Sequence, residues 1–366
     1  MRWCAANAVL LSATFAGCAA LHRSDLQVAC TLVHAVRETR GITLCEDTWT
    51  CPRPPGGRFD RIGLHRLAAC EGANGPVVLY LPGMHMNGEL LQSDARYDLR
   101  IYLATEGVRT WGLDYRTHAV PAETAPDGLQ ALAGWNAQLF AEDATWAARL
   151  IQRGDPGPLY LAGFSYGASV AYRLAARDDV PLAGLIMLDG VAGSTRSDGQ
   201  GPAIDVGGRR LPYDARASLL RAVRLNANGP SPLPGYATAG DALAETLYSA
   251  QSFGGKGGLT DPHRVSDVRV LADLLDGYDR WWPRAALGGD PPAPRAALPV
   301  IAFASTNFGP EWAAKVRASA EAFGGQAVEL HELPGYGHLD VLVGNQASRL
   351  VYLPIKRWLT QRSLPH

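Results

Sequence analysis

Lysine is nearly missing from this chain: only Lys256, Lys315 and Lys356 occur, and the 34 Lys and Arg are balanced by 35 Asp and Glu. Without a basic excess there is no electrostatic footprint for nucleic acid. The dominance of Arg reads as compositional bias rather than as a phosphate site. Cysteine is absent beyond Cys70, which confines any disulfide framework to the N-terminal part. No CxxC pair is present, and His34 and His65 lack ligand-like spacing, so zinc is without its usual pattern and no metal or cofactor is expected. No internal repeat or low-complexity tract stands out. With 47% hydrophobic and only 19% charged residues, disorder is excluded as the dominant state.

What is present begins with an export pattern. Arg2 precedes an apolar stretch over 5–15, then the small residues Ala16 and Gly17, then Cys18. That stretch is too short for a permanent helix across roughly 30 Å of bilayer. The run Phe15-Ala16-Gly17-Cys18 resembles a bacterial lipobox, departing from it at Phe15, where Leu is preferred. The resemblance implies removal of 1–17 and a lipid on Cys18 as the first mature residue. Such a lipid anchors a protein to the membrane surface of the bacterial cell envelope without spanning it. Cleavage after Ala20, giving a periplasmic or secreted protein, is the alternative. Cys4 belongs to the signal, leaving Cys30, Cys45, Cys51 and Cys70 in an N-terminal extension over 18–75. An even number in an exported chain suggests two structural disulfides, with three connectivities open.

After Cys70 the pattern becomes regular. Apolar runs at 76–81, 108–113, 158–162, 182–188, 299–304 and 327–330 read as strands. Helical patterns over 89–106, 129–153, 168–177, 312–323 and 347–360 alternate with them. Such alternation predicts a mostly parallel α/β sheet covered on both faces. Residues 194–295 break the rhythm with paired glycines, a Pro-rich run and two amphipathic stretches at 215–225 and 265–282. They are too long for a plain loop and read as a partly helical cap between core segments 76–193 and 296–366. Tyr248, Phe253, Trp281 and Trp282 of the cap either line an apolar pocket or form its own core.

The chemistry concentrates at Gly163-Phe164-Ser165-Tyr166-Gly167, a G-x-S-x-G between a predicted strand and a predicted helix. A serine on so sharp a bend sits in a strained backbone and projects above the sheet, which requires small neighbours. The following helix aims its first N–H groups at that point.

Here the chain resembles the α/β-hydrolase family, serine esterases and lipases among them, over roughly 76–366 with the cap as the divergent part. The resemblance implies an eight-stranded sheet and a Ser-acid-His triad in that chain order. Ser165 matches the nucleophile. The loop Leu333-Pro334-Gly335-Tyr336-Gly337-His338-Leu339-Asp340 looks like the family's His loop and points to His338 rather than His331 or His366. The oxyanion donors match the backbone N–H groups of Tyr166 and of Met84, in the loop after the first strand. His85 and Asn87 of that loop read as polar loop residues. The acid stays open between two positions. The loop after 299–304, where most relatives carry it, has no aspartate; Asn307 cannot serve, and Glu311 looks like a helix start. A second family arrangement puts the acid one strand earlier, which matches Asp189 in Leu188-Asp189-Gly190. Asp189 is favoured, with Glu311 as the alternative and Asp340 read as a local cap. The activity implied is hydrolysis of small-molecule or lipid esters. Acyltransferase, thioesterase and peptidase chemistry, or an inactive cell-surface binding protein, remain alternatives.

Overall fold

The computed structural model describes residues 30–90, 94–177, 179–193, 202–206, 211–248, 265–290, 292–294 and 297–363. The signal region with Cys18, and Phe253 and His366, lie outside them. Among the described residues there are eleven strands: β1 Thr31–Thr39, β2 Ile42–Pro52, β3 Arg61–Ala69, β4 Val77–Leu81, β5 Arg109–Asp114, β6 Leu159–Phe164, β7 Gly184–Leu188, β8 Ile204–Asp205, β9 Trp281–Trp282, β10 Val300–Ser305 and β11 Val328–Leu333. Nine of them form one sheet in the order β1-β2-β3-β5-β4-β6-β7-β10-β11. From β5 to β11 every pairing is parallel, whereas β1, β2 and β3 join antiparallel at one edge.

The large, mostly parallel sheet is as expected, but its size is not. Nine strands replace the expected eight, because the cysteine-rich segment is the first three strands of the sheet rather than an appendage to it. Its disulfides are Cys30–Cys51 and Cys45–Cys70. The first staples the start of β1 to β2, and the second staples β2 to the end of β3.

The central strands are buried on both sides, which is why they read as continuous apolar runs. Alternate residues serve opposite faces. Val77, Leu79, Leu81, Leu159, Leu161, Leu185, Met187, Val300 and Ala302 join one hydrophobic cluster. Val78, Tyr80, Tyr160, Ala162, Phe164, Ile186, Leu188, Ile301 and Phe303 join the other. The first is covered by α2 Ala137–Gly154, α3 Tyr166–Ala175 and α7 Pro310–Gly324. The second is covered by α1 Leu99–Thr105, α8 Leu353–Ser363 and helices of the insertion, α4 Tyr213–Asn226, α5 Ala239–Tyr248 and α6 Val268–Asp276.

Two helices start later than the pattern suggested. Among the described residues of the stretch 89–106 only α1 is helical, because Asp98 caps it through the N–H groups of Arg100 and Ile101. The segment before it is committed elsewhere: Gly88 donates its N–H to Asp114, 2.7 Å away. Likewise Asn136 caps α2 by accepting from the Leu139 N–H at 3.0 Å, and residues 128–132 form a separate 3-10 turn. No described helix is long and apolar enough to cross a membrane.

Candidate active site

Ser165 sits between β6 and α3 with φ 53° and ψ −117°. That left-handed conformation is costly for a residue with a Cβ and holds only where the surroundings enforce it. They do so by crowding. A Cβ on Gly167 would lie 1.9 Å from the Leu81 carbonyl oxygen, and one on Gly190 only 2.6 Å from that of Ser165. The Ser165 N–H is tied to the Leu188 carbonyl at 3.0 Å, which places the end of β7 beside the bend.

Asp189 follows directly, itself at φ 49° and fully buried. Four donors converge on its two oxygens, filling the acceptor positions of a carboxylate. Oδ1 accepts from the Ser305 N–H at 2.7 Å and the Trp312 indole N–H at 2.9 Å. Oδ2 accepts from the Ser305 hydroxyl at 2.8 Å and His338 Nδ1 at 2.6 Å. The parallel pairing of β7 with β10 explains the meeting, since the Asp189 N–H reaches the Phe303 carbonyl at 2.9 Å. Ser305 thus ends the strand after which most of the family would carry the acid. Glu311 instead occupies the exposed first turn of α7, on the helix dipole.

His338 is buried, with its ring 4.7 Å from Phe164, the residue before Ser165, and edge-on to Phe308 at 5.4 Å. The loop that carries it is braced by Asp340, which is fully buried and accepts from the Gly337 N–H at 2.7 Å and from the Ser266 hydroxyl. Ser266 belongs to the insertion, so the His338 loop and the insertion share a hydrogen bond. His331 lies on β11 and pairs with Glu329 at 2.8 Å.

The loop after β4 presses against the start of α3. A Cβ on Gly83 would stand 3.0 Å from the Phe164 ring, and Tyr115 donates its hydroxyl to the Pro82 carbonyl at 3.1 Å. The next residue, Met84, and Tyr166 at the first position of α3 therefore lie on facing segments. His85 is buried at φ 65°. Its Nδ1 donates to the Asp279 carbonyl at 2.9 Å, and its own carbonyl accepts the Asp279 N–H at 2.7 Å. Burial pushes its pKa down to about 3, so the ring is neutral. Asn87 donates to the Gly277 carbonyl at 3.0 Å. Both are polar loop residues, as expected, and they dock the loop on the insertion. Asp279 had no sequence signal. Beyond holding His85 it accepts from Thr117 at 2.8 Å and pairs with His118 at 2.9 Å. Trp282 is fully buried, with its ring 5.0 Å from Tyr166, so it is core; Trp281 donates to the Ala122 carbonyl at 3.1 Å.

One group among the described residues has ligand-type atoms close enough for a metal: Glu46, His65 and Glu89, within 4.8 Å of one another. Their partners are already assigned. Glu46 pairs with Arg37, and His65 Nε2 meets Asp114 at 2.7 Å. Burial alone would lower the His65 pKa, but Asp114 and Glu89 outweigh it and lift it to about 9. The cluster is an ion network holding a proton.

A serine on a strained strand-to-helix bend, beside a buried histidine–carboxylate pair, defines a hydrolase-type site. The sequence matches the alpha/beta hydrolase family over residues 78–350, and the chain belongs to that family. No curated protein sequence matches it. Among solved structures it is similar to a putative lipase from Sulfolobus solfataricus, with 24% identity, a TM-score of 0.73 and coverage of 90% of this chain and 99% of that one. It is also similar to a thermostable carboxyl esterase from Bacillus coagulans, with 16% identity, a TM-score of 0.48 and coverage of 91% and 99%.

Proposed function

We propose that the chain is an exported serine hydrolase that cleaves carboxylic esters through an acyl-enzyme on Ser165. The observation that carries this reading is the 2.6 Å contact between His338 Nδ1 and Asp189, next to a serine held at φ 53°. Because a carboxylate only accepts there, Nδ1 must donate, which leaves Nε2 to take the serine proton. Ser165 then attacks the ester carbonyl carbon. Its proton passes to His338, and Asp189 stabilises the imidazolium that forms. The N–H groups of Met84 and Tyr166 hold the oxyanion of the tetrahedral intermediate. Its collapse expels the alcohol, which takes the proton from His338. Water, activated by the same imidazole, releases the acid.

Every step uses a side chain or backbone group of this chain. Export rests on the N-terminal pattern, and the lipobox-like run favours anchoring in the cell envelope through Cys18. Hydrolysis of p-nitrophenyl acetate, butyrate and palmitate by the mature protein tests the reaction. The expected result is turnover that falls by at least about 10³-fold in Ser165→Ala. Absence of turnover by folded protein would leave a binding protein that kept the fold.

A further inference from the structure

Trp312 takes part in no step of the proposed reaction, yet it contacts Asp189 and faces His338. Its indole Nε1 donates to Asp189 Oδ1 at 2.9 Å, and its ring stands edge-on to His338 with centroids 6.2 Å apart. A short connection places it there. β10 ends at Ser305 and α7 begins at Pro310, with Gly309 as the cap at φ 88°, a conformation that favours glycine. The Trp312 N–H closes that turn on the Gly309 carbonyl at 3.2 Å, so the indole falls in the first turn of α7, beside Asp189. The segment after β10, where most of the family would carry the acid, here supplies donors to an acid held one strand earlier. Ser305 grips both carboxylate oxygens, with its N–H on Oδ1 at 2.7 Å and its hydroxyl on Oδ2 at 2.8 Å. Trp312 adds a further donor on the oxygen away from His338.

Two physical needs explain this convergence. The terminal torsion of an aspartate joins sp³ to sp² carbon and has broad wells, so its rotamer alone leaves the carboxylate plane loose. With Oδ1 pinned from α7, Oδ2 keeps its 2.6 Å contact with His338 Nδ1. Asp189 is also fully buried, so its charge is held by donors instead of by water. The indole itself is half-buried, packing on the hydrophobic cluster that α7 covers and on Phe308 at 5.5 Å between rings. That packing asks only for an apolar ring at position 312. It does not require an N–H aimed at the carboxylate.

We propose that Trp312 is a positioning residue of this site: its indole N–H fixes the plane of the Asp189 carboxylate and, through it, the His338 ring. The proposal rests on the Ser165–His338–Asp189 reading, and the test separates the two. Trp312→Phe keeps an aromatic ring and removes the donor, whereas Trp312→His restores a ring N–H at the same distance along the side chain. On p-nitrophenyl butyrate, Trp312→Phe is expected to lower kcat about tenfold with KM within about twofold of wild type. The acid limb of its kcat/KM profile is expected to move to higher pH, because a carboxylate with fewer donors holds the imidazolium more tightly. Trp312→His is expected to recover part of the lost kcat. A second readout needs no turnover: the low-field proton NMR resonance of His338 Nδ1–H is expected in Ser165→Ala, and adding Trp312→Phe is expected to shift it. Unchanged kinetics and an unchanged resonance in folded Trp312→Phe overturn the proposal. So does an equal loss of kcat in both variants with the acid limb and the resonance unmoved, which is the behaviour of packing alone. Absence of turnover by wild type would defeat the hydrolase reading, while the resonance still decides the role of Trp312.

Discussion

At Asp189 four donors meet two oxygens, and the His338 ring is one of them. Replacing it with Asn turns one acceptor into a donor facing Ser305, Trp312 or His338, and frees the imidazole to take the wrong tautomer. Asp189→Asn is expected to lower kcat by about 10³–10⁴-fold with KM little changed. Glu311→Gln, in the exposed turn of α7, is expected to stay within about twofold of wild type. Steady-state kinetics on p-nitrophenyl butyrate distinguishes the two, and a large loss in Glu311→Gln would reassign the acid. Asp189 became a candidate only through the family resemblance, which allows an acid one strand earlier; Asp-Gly at a strand end is by itself a plain turn pair. Ser305 and Trp312 were not legible. A serine closing a strand and a tryptophan near a helix start have no signature until the pairing of β7 with β10 brings them to one carboxylate. Asp279, which gathers His85, Thr117 and His118, was hidden for the same reason.

Among the elements, the central strands were readable because burial on both faces leaves only apolar residues in them. The strands β1 to β3 were not. β1 is the exposed edge, with Leu32, Val33 and Val36 open to solvent among polar residues, so its apolar positions follow no clean alternation. Its place is fixed by antiparallel pairing with β2 and by a disulfide rather than by a hydrophobic face of its own. β3 ties into the rest through His65, which bridges to Asp114 on β5 and to Glu89 at 3.3 Å in the loop after β4. With its pKa raised to about 9 from 6.5, His65 contributes stability in full below about pH 6.5. That contribution fades as pH rises through 9. Denaturant midpoints of wild type and His65→Asn, measured between pH 6 and 9.5, should show it. Wild type is expected to lose roughly 2 kcal/mol more than the variant across that window. Parallel pH curves would mean that His65 holds no extra proton in the folded chain.

Over the whole molecule, the site lies where the end of the sheet, the His338 loop and the insertion meet. The Ser266–Asp340 hydrogen bond and the clasp of His85 by Asp279 make the insertion part of the support for the loops that carry His338 and His85. Its existence could be read from a broken strand–helix rhythm, but its contacts could not, because they join residues far apart in sequence. The N-terminal pattern carries a prediction at this scale. In a bacterial host, wild type is expected in the membrane fraction and Cys18→Ala in the soluble exported fraction. Equal partitioning of the two would favour ordinary cleavage after Ala20. The most direct test of the reaction itself is fluorophosphonate treatment of the folded mature protein followed by peptide mapping. The expected outcome is a single adduct on Ser165 that forms quickly in wild type, far more slowly in His338→Ala, and not at all in Ser165→Ala. Folded wild type that gains no adduct, or gains it on another residue, would contradict a nucleophile at position 165.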